Sequence, residues 1–163
     1  MKDFLEYLNG TVTMIVLLMG LSVFGFIPSK TLQKWYKDFG FLAFLMDITI
    51  FMLCLAVAFF IYPYLFSKFE LVPFIILAVF VQFVHDILLT LVAFNVKPGK
   101  YGILDGTRDY VNEHGSTVYI ADGILISSAI LIAQWMKKYS KDVNMISLLF
   151  LFYHVPIFLS SFK

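Results

Sequence analysis

FLAFLMDITIFMLCLAVAFFIYPYLF, residues 41–66, carries one charged side chain, Asp47, in a run long enough to cross a lipid bilayer. A helix rising about 1.5 Å per residue needs about 20 mainly apolar residues to span the hydrocarbon core. Backbone amides and carbonyls find no water there, so the run is expected to be helical, which pairs them internally. Outward from it lie four further runs, residues 11–27, 71–94, 117–136 and 143–162. The expected fold is an all-α integral membrane protein, a bundle of about five transmembrane helices forming a single domain over residues 1–163. The first run follows Lys2, Asp3 and Glu6 and lacks a small-x-small cleavage pattern, so it reads as a retained helix and not a secretory signal.

Composition agrees. Hydrophobic residues make up 61% of the chain and charged residues 14%, against roughly half and a quarter in globular domains. A core this small cannot hide that much apolar surface, so lipid covers part of it. The formal net charge of +1 gives no reason to expect a nucleic-acid partner. Cys54 is the one cysteine, which excludes an internal disulfide and a CxxC redox pair.

The connectors set the orientation. On the N-terminal side lie Lys2, Lys68, Lys137, Lys138 and Lys141; on the other lie Lys30, Lys34, Lys37, Lys97, Lys100, Arg108 and Lys163. The excess on the second side makes it the expected cytoplasmic face, with the N-terminus non-cytoplasmic. Asn9-Gly10-Thr11 fits a glycosylation sequon but stands too close to the membrane to be used. Residues 29–40 read as a polar, aromatic membrane-interface connector.

Ionisable residues within spans are costly and face the bundle interior or a water-filled cavity. Here they are Asp47, His85, Asp86, Asp122 and His154, accompanied by Gln82 and Thr90. Counted from the ends opposite the N-terminal side, Asp47 lies about 9 Å deep, Asp86 and His154 about 12 Å, and Asp122 about 7 Å. All therefore fall in one leaflet. Asp47 shares a helix face with Ala43, Cys54 and Ala58, Asp122 with Ala129 and Ala133, and His154 with Ser147 and Ser161. Small and polar residues mark helix contacts in membranes, so the stripes are expected to converge. Each residue taken alone is equally well read as an interhelical hydrogen-bond partner. The first span has no ionisable residue and reads as peripheral. A cluster of this kind has three fates: protonated carboxyls, pairing with the histidines, or a bound cation. Asp47, His85, Asp86, Asp122 and His154 form a ligand set for a divalent metal such as zinc, manganese or iron, though their spacing follows no metal motif.

Residues 95–116, NVKPGKYGILDGTRDYVNEHGS, form the longest polar stretch. Ile103, Leu104, Tyr110 and Val111 fall on one side of a helix, and Asp105, Arg108, Asp109, Asn112 and Glu113 on the other. This predicts a short interfacial amphipathic helix between the third and fourth spans, ended by Gly115. It reads as a solvated helix with an internal Arg108–acid pair, or as a lid whose Arg108, Asp109 and Glu113 contact substrate.

Phe83-Val-His-Asp86, Lys97-Pro-Gly99, Asp105 with Arg108-Asp109-Tyr110, Glu113-His-Gly115, and Ala121-Asp122-Gly123 before Ser127-Ser128 together resemble small multipass membrane proteins of giant (nucleocytoplasmic large) DNA viruses of algae and protists. Gly106-Thr107-Arg108 departs from that group's pattern. The resemblance covers about a third of the chain. It implies a viral setting, a virion inner membrane or host endomembrane, and carries no activity with it.

Three functions are then open. The first is a viral membrane component contacting lipids and other viral membrane or capsid proteins, with homo-oligomerisation compatible. The second is an intramembrane enzyme acting on a lipid or small amphiphile, with His85, Asp86 and Asp122 as catalytic acid–base groups. The third is a proton or cation transporter, for which the N-terminal-side leaflet offers only Gln134 and Cys54 as polar steps.

Overall fold

A computed structural model describes residues 3–162. Among these residues seven helices follow one another: α1 (Phe4–Val23), α2 (Lys30–Phe39), α3 (Phe41–Leu65), α4 (Leu71–Asn95), α5 (Gly102–His114), α6 (Thr117–Met136) and α7 (Lys141–Leu159). Five of them, α1, α3, α4, α6 and α7, are long and apolar enough to cross a membrane. The chain is a multipass, all-helical membrane protein. Its span boundaries follow the apolar runs for α3, α4 and α6, whereas α1 begins at Phe4, taking in Asn9 and Gly10, and ends at Val23 instead of 27, and α7 ends at Leu159 instead of 162.

The spans form a ring of four with one helix outside it. α1 packs on α6, α6 on α4, α4 on α3, and α3 back on α1. α7 lies against α1 and touches α3 lightly. The expectation that the first span is peripheral is therefore corrected. Half of α1's most apolar stretch is buried in the protein, against 17% for α7. Tyr7, Asn9, Gly10, Thr11, Val12, Ile15, Val16, Met19, Gly20 and Ser22 of α1 are buried. Its small residues permit the approach: Gly10 meets α6 backbone to backbone at Ala129 and Ala133.

Neutral polar bonds fix the N-terminal end of the ring. Asn9 Nδ2 donates to the Asn144 carbonyl at 3.0 Å, and Ser147 Oγ to Asn9 Oδ1 at 3.3 Å, tying α7 to α1. Gln134 Nε2 donates to the Tyr7 hydroxyl at 2.7 Å. Asn9 and Thr11 of the sequon are fully buried within this packing.

The two short helices cap the opposite end. α2 packs on α3 and α5, and α5 packs on α4, α2 and α6. The interface connector at residues 29–40 thus carries a helix, α2, which the sequence reading leaves unassigned. Ser29 accepts the Leu32 amide at 3.1 Å as its N-cap, the usual role of serine there. The α2–α3 junction turns at Gly40 (φ +53°) and the α5–α6 junction at Gly115 (φ +59°), backbone positions that a side chain would strain.

Candidate functional site

Between the ring helices, beneath α2 and α5, lies a cavity of about 220 Å³. All four ring helices line it. α3 contributes Asp47, α4 contributes Gln82, His85, Asp86 and Thr90, and α6 contributes Tyr119 and Asp122. Apolar wall comes from Ile15 and Leu18 of α1, Ile50 and Phe51 of α3, Leu89 of α4 and Leu125 of α6. The roof is Thr31, Leu32 and Trp35 of α2 with Ile103, Gly106, Thr107, Tyr110 and Val111 of α5. Four of the five ionisable residues picked out within the spans therefore face one space.

His154 does not. It stands on α7, outside the ring, and does not line the cavity. Its Nδ1 bonds the Phe150 carbonyl of its own helix at 2.8 Å, and its ring lies 4.3 Å from that of Phe150. Depth along the membrane normal puts His154 level with Asp86, but α7 packs on the far side of α1. Among the described residues no three His, Cys, Asp or Glu side chains are gathered closely enough to hold a metal ion. The five-residue donor set for a divalent metal is thus not brought together.

The α4 wall holds the polar core. Gln82 Nε2 donates to Asp86 Oδ1 at 2.8 Å, and His85 Nδ1 lies 3.0 Å from the same oxygen. Against an ionised Asp86, which can only accept, His85 would give its Nδ1–H and leave its Nε2 for another partner. Gln82 and Asp86 are only 2% and 8% exposed. Gln82 Oε1 and Asp86 Oδ2 are buried and have no partner among the described residues. A buried unpartnered acceptor costs about 1–3 kcal/mol, so two on one cavity wall need an explanation. Nearby, the Tyr119 hydroxyl donates to Thr90 Oγ1 at 3.2 Å.

Asp47 meets the roof. The Tyr36 hydroxyl donates to Asp47 Oδ2 at 2.7 Å, linking α2 to α3 over the cavity. Burial first, then the adjacent Asp47, raises Tyr36 well above the usual tyrosine value. Burial and then Asp122 push Tyr110 upward in the same way. Both phenols therefore stay protonated donors through the neutral range.

Arg108, Asp109 and Glu113 hold the roof in place. Arg108 Nη1 donates to Asp105 Oδ1 at 2.7 Å, and Nη2 donates to the Val96 carbonyl at 2.8 Å and to that of Ala93. A cation on the last carbonyls of α4 also suits the negative end of that helix. Asp109 pairs with Lys34 of α2 at 3.2 Å on the exposed surface. Glu113 accepts the Lys30 amide at 2.9 Å and the Thr31 amide at 2.7 Å, capping the start of α2 from another helix. None of the three lines the cavity. The structure places these expected substrate contacts as ties between α5, α4 and α2.

No family model, curated protein or solved structure matches this chain. The site must be read from its own chemistry. Trp35, Tyr36, Tyr110 and Tyr119 do not stand out as ionisable residues within spans, because the first three lie in connectors and tyrosine and tryptophan are ordinary at interfaces. The signal that finds α2 is the spacing of Leu32, Trp35, Tyr36 and Phe39 at i, i+3, i+4 and i+7 behind Ser29.

Proposed function

We propose that this multipass membrane protein binds the polar head of a small membrane amphiphile in the cavity roofed by α2 and α5. One observation carries the reading: two buried oxygens without partners, Gln82 Oε1 and Asp86 Oδ2, belong to residues lining a cavity whose remaining wall is mainly apolar. Ligand sites combine those features, an apolar body with a few convergent polar groups. The volume of about 220 Å³ falls below the roughly 300–1,000 Å³ that encloses drug-sized ligands, so a head group and its first carbons fit and a whole lipid does not.

Native mass spectrometry of protein released from nanodiscs tests this. An amphiphile is expected to leave with the unaltered chain and to be lost from Leu125→Phe, which narrows the cavity without touching its charges. An unaltered chain that emerges empty, and whose Trp35 fluorescence ignores added amphiphiles, would sink the proposal.

A second reading, acid–base catalysis on the bound amphiphile, is favoured by the His85–Asp86 pair, in which His85 Nε2 is left to exchange a proton. His85→Gln would then abolish turnover of a lipid extract while amphiphile still co-purifies. On the resemblance over residues 83–128 we propose a virion or virus-modified membrane as the protein's setting. Its absence from purified virions and from infected-cell membranes would remove that setting without affecting the site.

A further inference from the structure

We infer that the head group the cavity receives is a protonated amine, so that the ligand is a single-chain alkylamine-like amphiphile; this rests on the binding role proposed above. Both unpartnered atoms, Gln82 Oε1 and Asp86 Oδ2, are acceptors. As the side chains stand these two oxygens are closed off, so a head group meets them as Gln82 and Asp86 turn, and it must then donate hydrogen bonds, which disfavours carboxylate and quaternary ammonium heads.

Charge narrows the choice further. Asp47, Asp86 and Asp122 all line the cavity, and among its described lining residues the one basic side chain is His85, against Asp86, with no lysine or arginine. Carboxylates sharing a poorly solvated space repel one another and are stabilised by a cation between them. Water or an alcohol would satisfy the acceptors only while the carboxyls hold their protons, whereas a cation lets them ionise. A metal ion would serve, yet the described donors are not gathered for one. An alkylammonium supplies three N–H donors and one positive charge, and its chain suits Ile15, Leu18, Leu89 and Leu125.

Trp35 lines the cavity and serves as the reporter, because Trp135 is the other tryptophan and is exposed on the outside of α6. Trp135→Phe protein in nanodiscs is titrated at neutral pH with octylamine, octanol, octanoate and octyltrimethylammonium, against empty nanodiscs. Octylamine is expected to change Trp35 emission saturably at a concentration about tenfold or more below that for octanol or octyltrimethylammonium, the difference a charge-assisted hydrogen bond makes. Octanoate is expected to give no saturable change. Asp86→Asn should weaken octylamine by a similar factor and octanol little; Gln82→Leu gives the same comparison should the first variant misfold.

Octanol matching octylamine would overturn the amine and leave the chamber standing. Octyltrimethylammonium matching it would show that charge alone is read, which also overturns the proposal. Octylamine binding unchanged in both variants would locate it elsewhere, and a stoichiometric metal displaced by octylamine would give the cavity another occupant; either overturns it. No saturable change with any probe would remove the amine and the chamber together.

Discussion

A Cβ added at Gly10 would stand 2.2 Å from the Ala129 carbonyl oxygen and 3.0 Å from the Ala133 amide nitrogen. Both are backbone atoms, so no side chain can swing aside, and α1 and α6 would have to separate. Gly20 of the same helix differs. Its added Cβ would meet only the Phe158 ring, at 3.4 Å, and that ring can shift. Gly10→Ala is therefore expected to destabilise the protein by roughly 1–3 kcal/mol, the usual range for overpacking, and Gly20→Ala to be near neutral. Reversible unfolding in mixed micelles measures both. Equal stability of the two variants would mean that α1 does not cross α6 at Gly10. Asp47, His85, Asp86 and Asp122 are legible in the sequence because ionisable groups stand out in apolar runs and the helical rise fixes their depth. His154 has the same depth and a different neighbourhood. Depth is one coordinate, and the order of helices around a bundle is not written in the periodicity of any one of them.

At the scale of elements, α2 and α5 act as a joined roof. Gly106 lets them approach, since a Cβ there would lie 3.1 Å from the Trp35 ring. The glycine that weakens α5 as a helix former is thus the one its packing needs. Glu113 is the tie with a readable pH dependence. Its slight burial works against its charge, but hydrogen bonds from Thr31 and from the Lys30 amide, with His114 beside it, outweigh that and hold the carboxyl at about 2 instead of 4.5. A lowered carboxyl favours the folded tie above its unfolded value and loses that contribution as the group protonates. The tie is accordingly complete above pH 4.5 and disappears as pH falls from there through about 2. In Trp135→Phe protein, Trp35 emission should move toward that of a solvated indole across this window. Glu113→Gln should show the shifted emission at neutral pH and change little on acidification. Emission that follows the same acid curve in both proteins would show that the transition does not belong to Glu113. Global stability should change little, because Glu113 stands at the protein surface, where solvent screens its contacts.

At the scale of the whole molecule, the five spans follow from apolar run length alone, yet the center and edge of the bundle are reversed from the reading that ionisable residues suggest. α1 lacks ionisable side chains in its apolar run and sits inside, while α7 carries His154 and sits outside. The better signal was neutral: Asn9, Gly10, Thr11, Gly20 and Ser22 interrupt α1 and are buried, as small and polar residues are where membrane helices meet. Five crossings also put the roof and the α6–α7 turn on opposite sides of the membrane. The excess of lysine and arginine around α2 and α5 leads us to propose that the roof side is cytoplasmic. Single cysteines decide this in a Cys54→Ala background, which removes the native thiol. Lys97→Cys, beside the roof, should react with a membrane-impermeant maleimide only after the cytoplasmic face is opened. Lys138→Cys, in the α6–α7 turn, should stay unlabelled when only the cytoplasmic face is opened and react from the opposite face of the membrane. The reverse pattern would turn the protein over and make its cavity accessible from the other leaflet, leaving the five-span ring intact. Labelling of both positions from one side would break the ring itself, because α6 would then fail to cross, and with it the wall that carries Asp122.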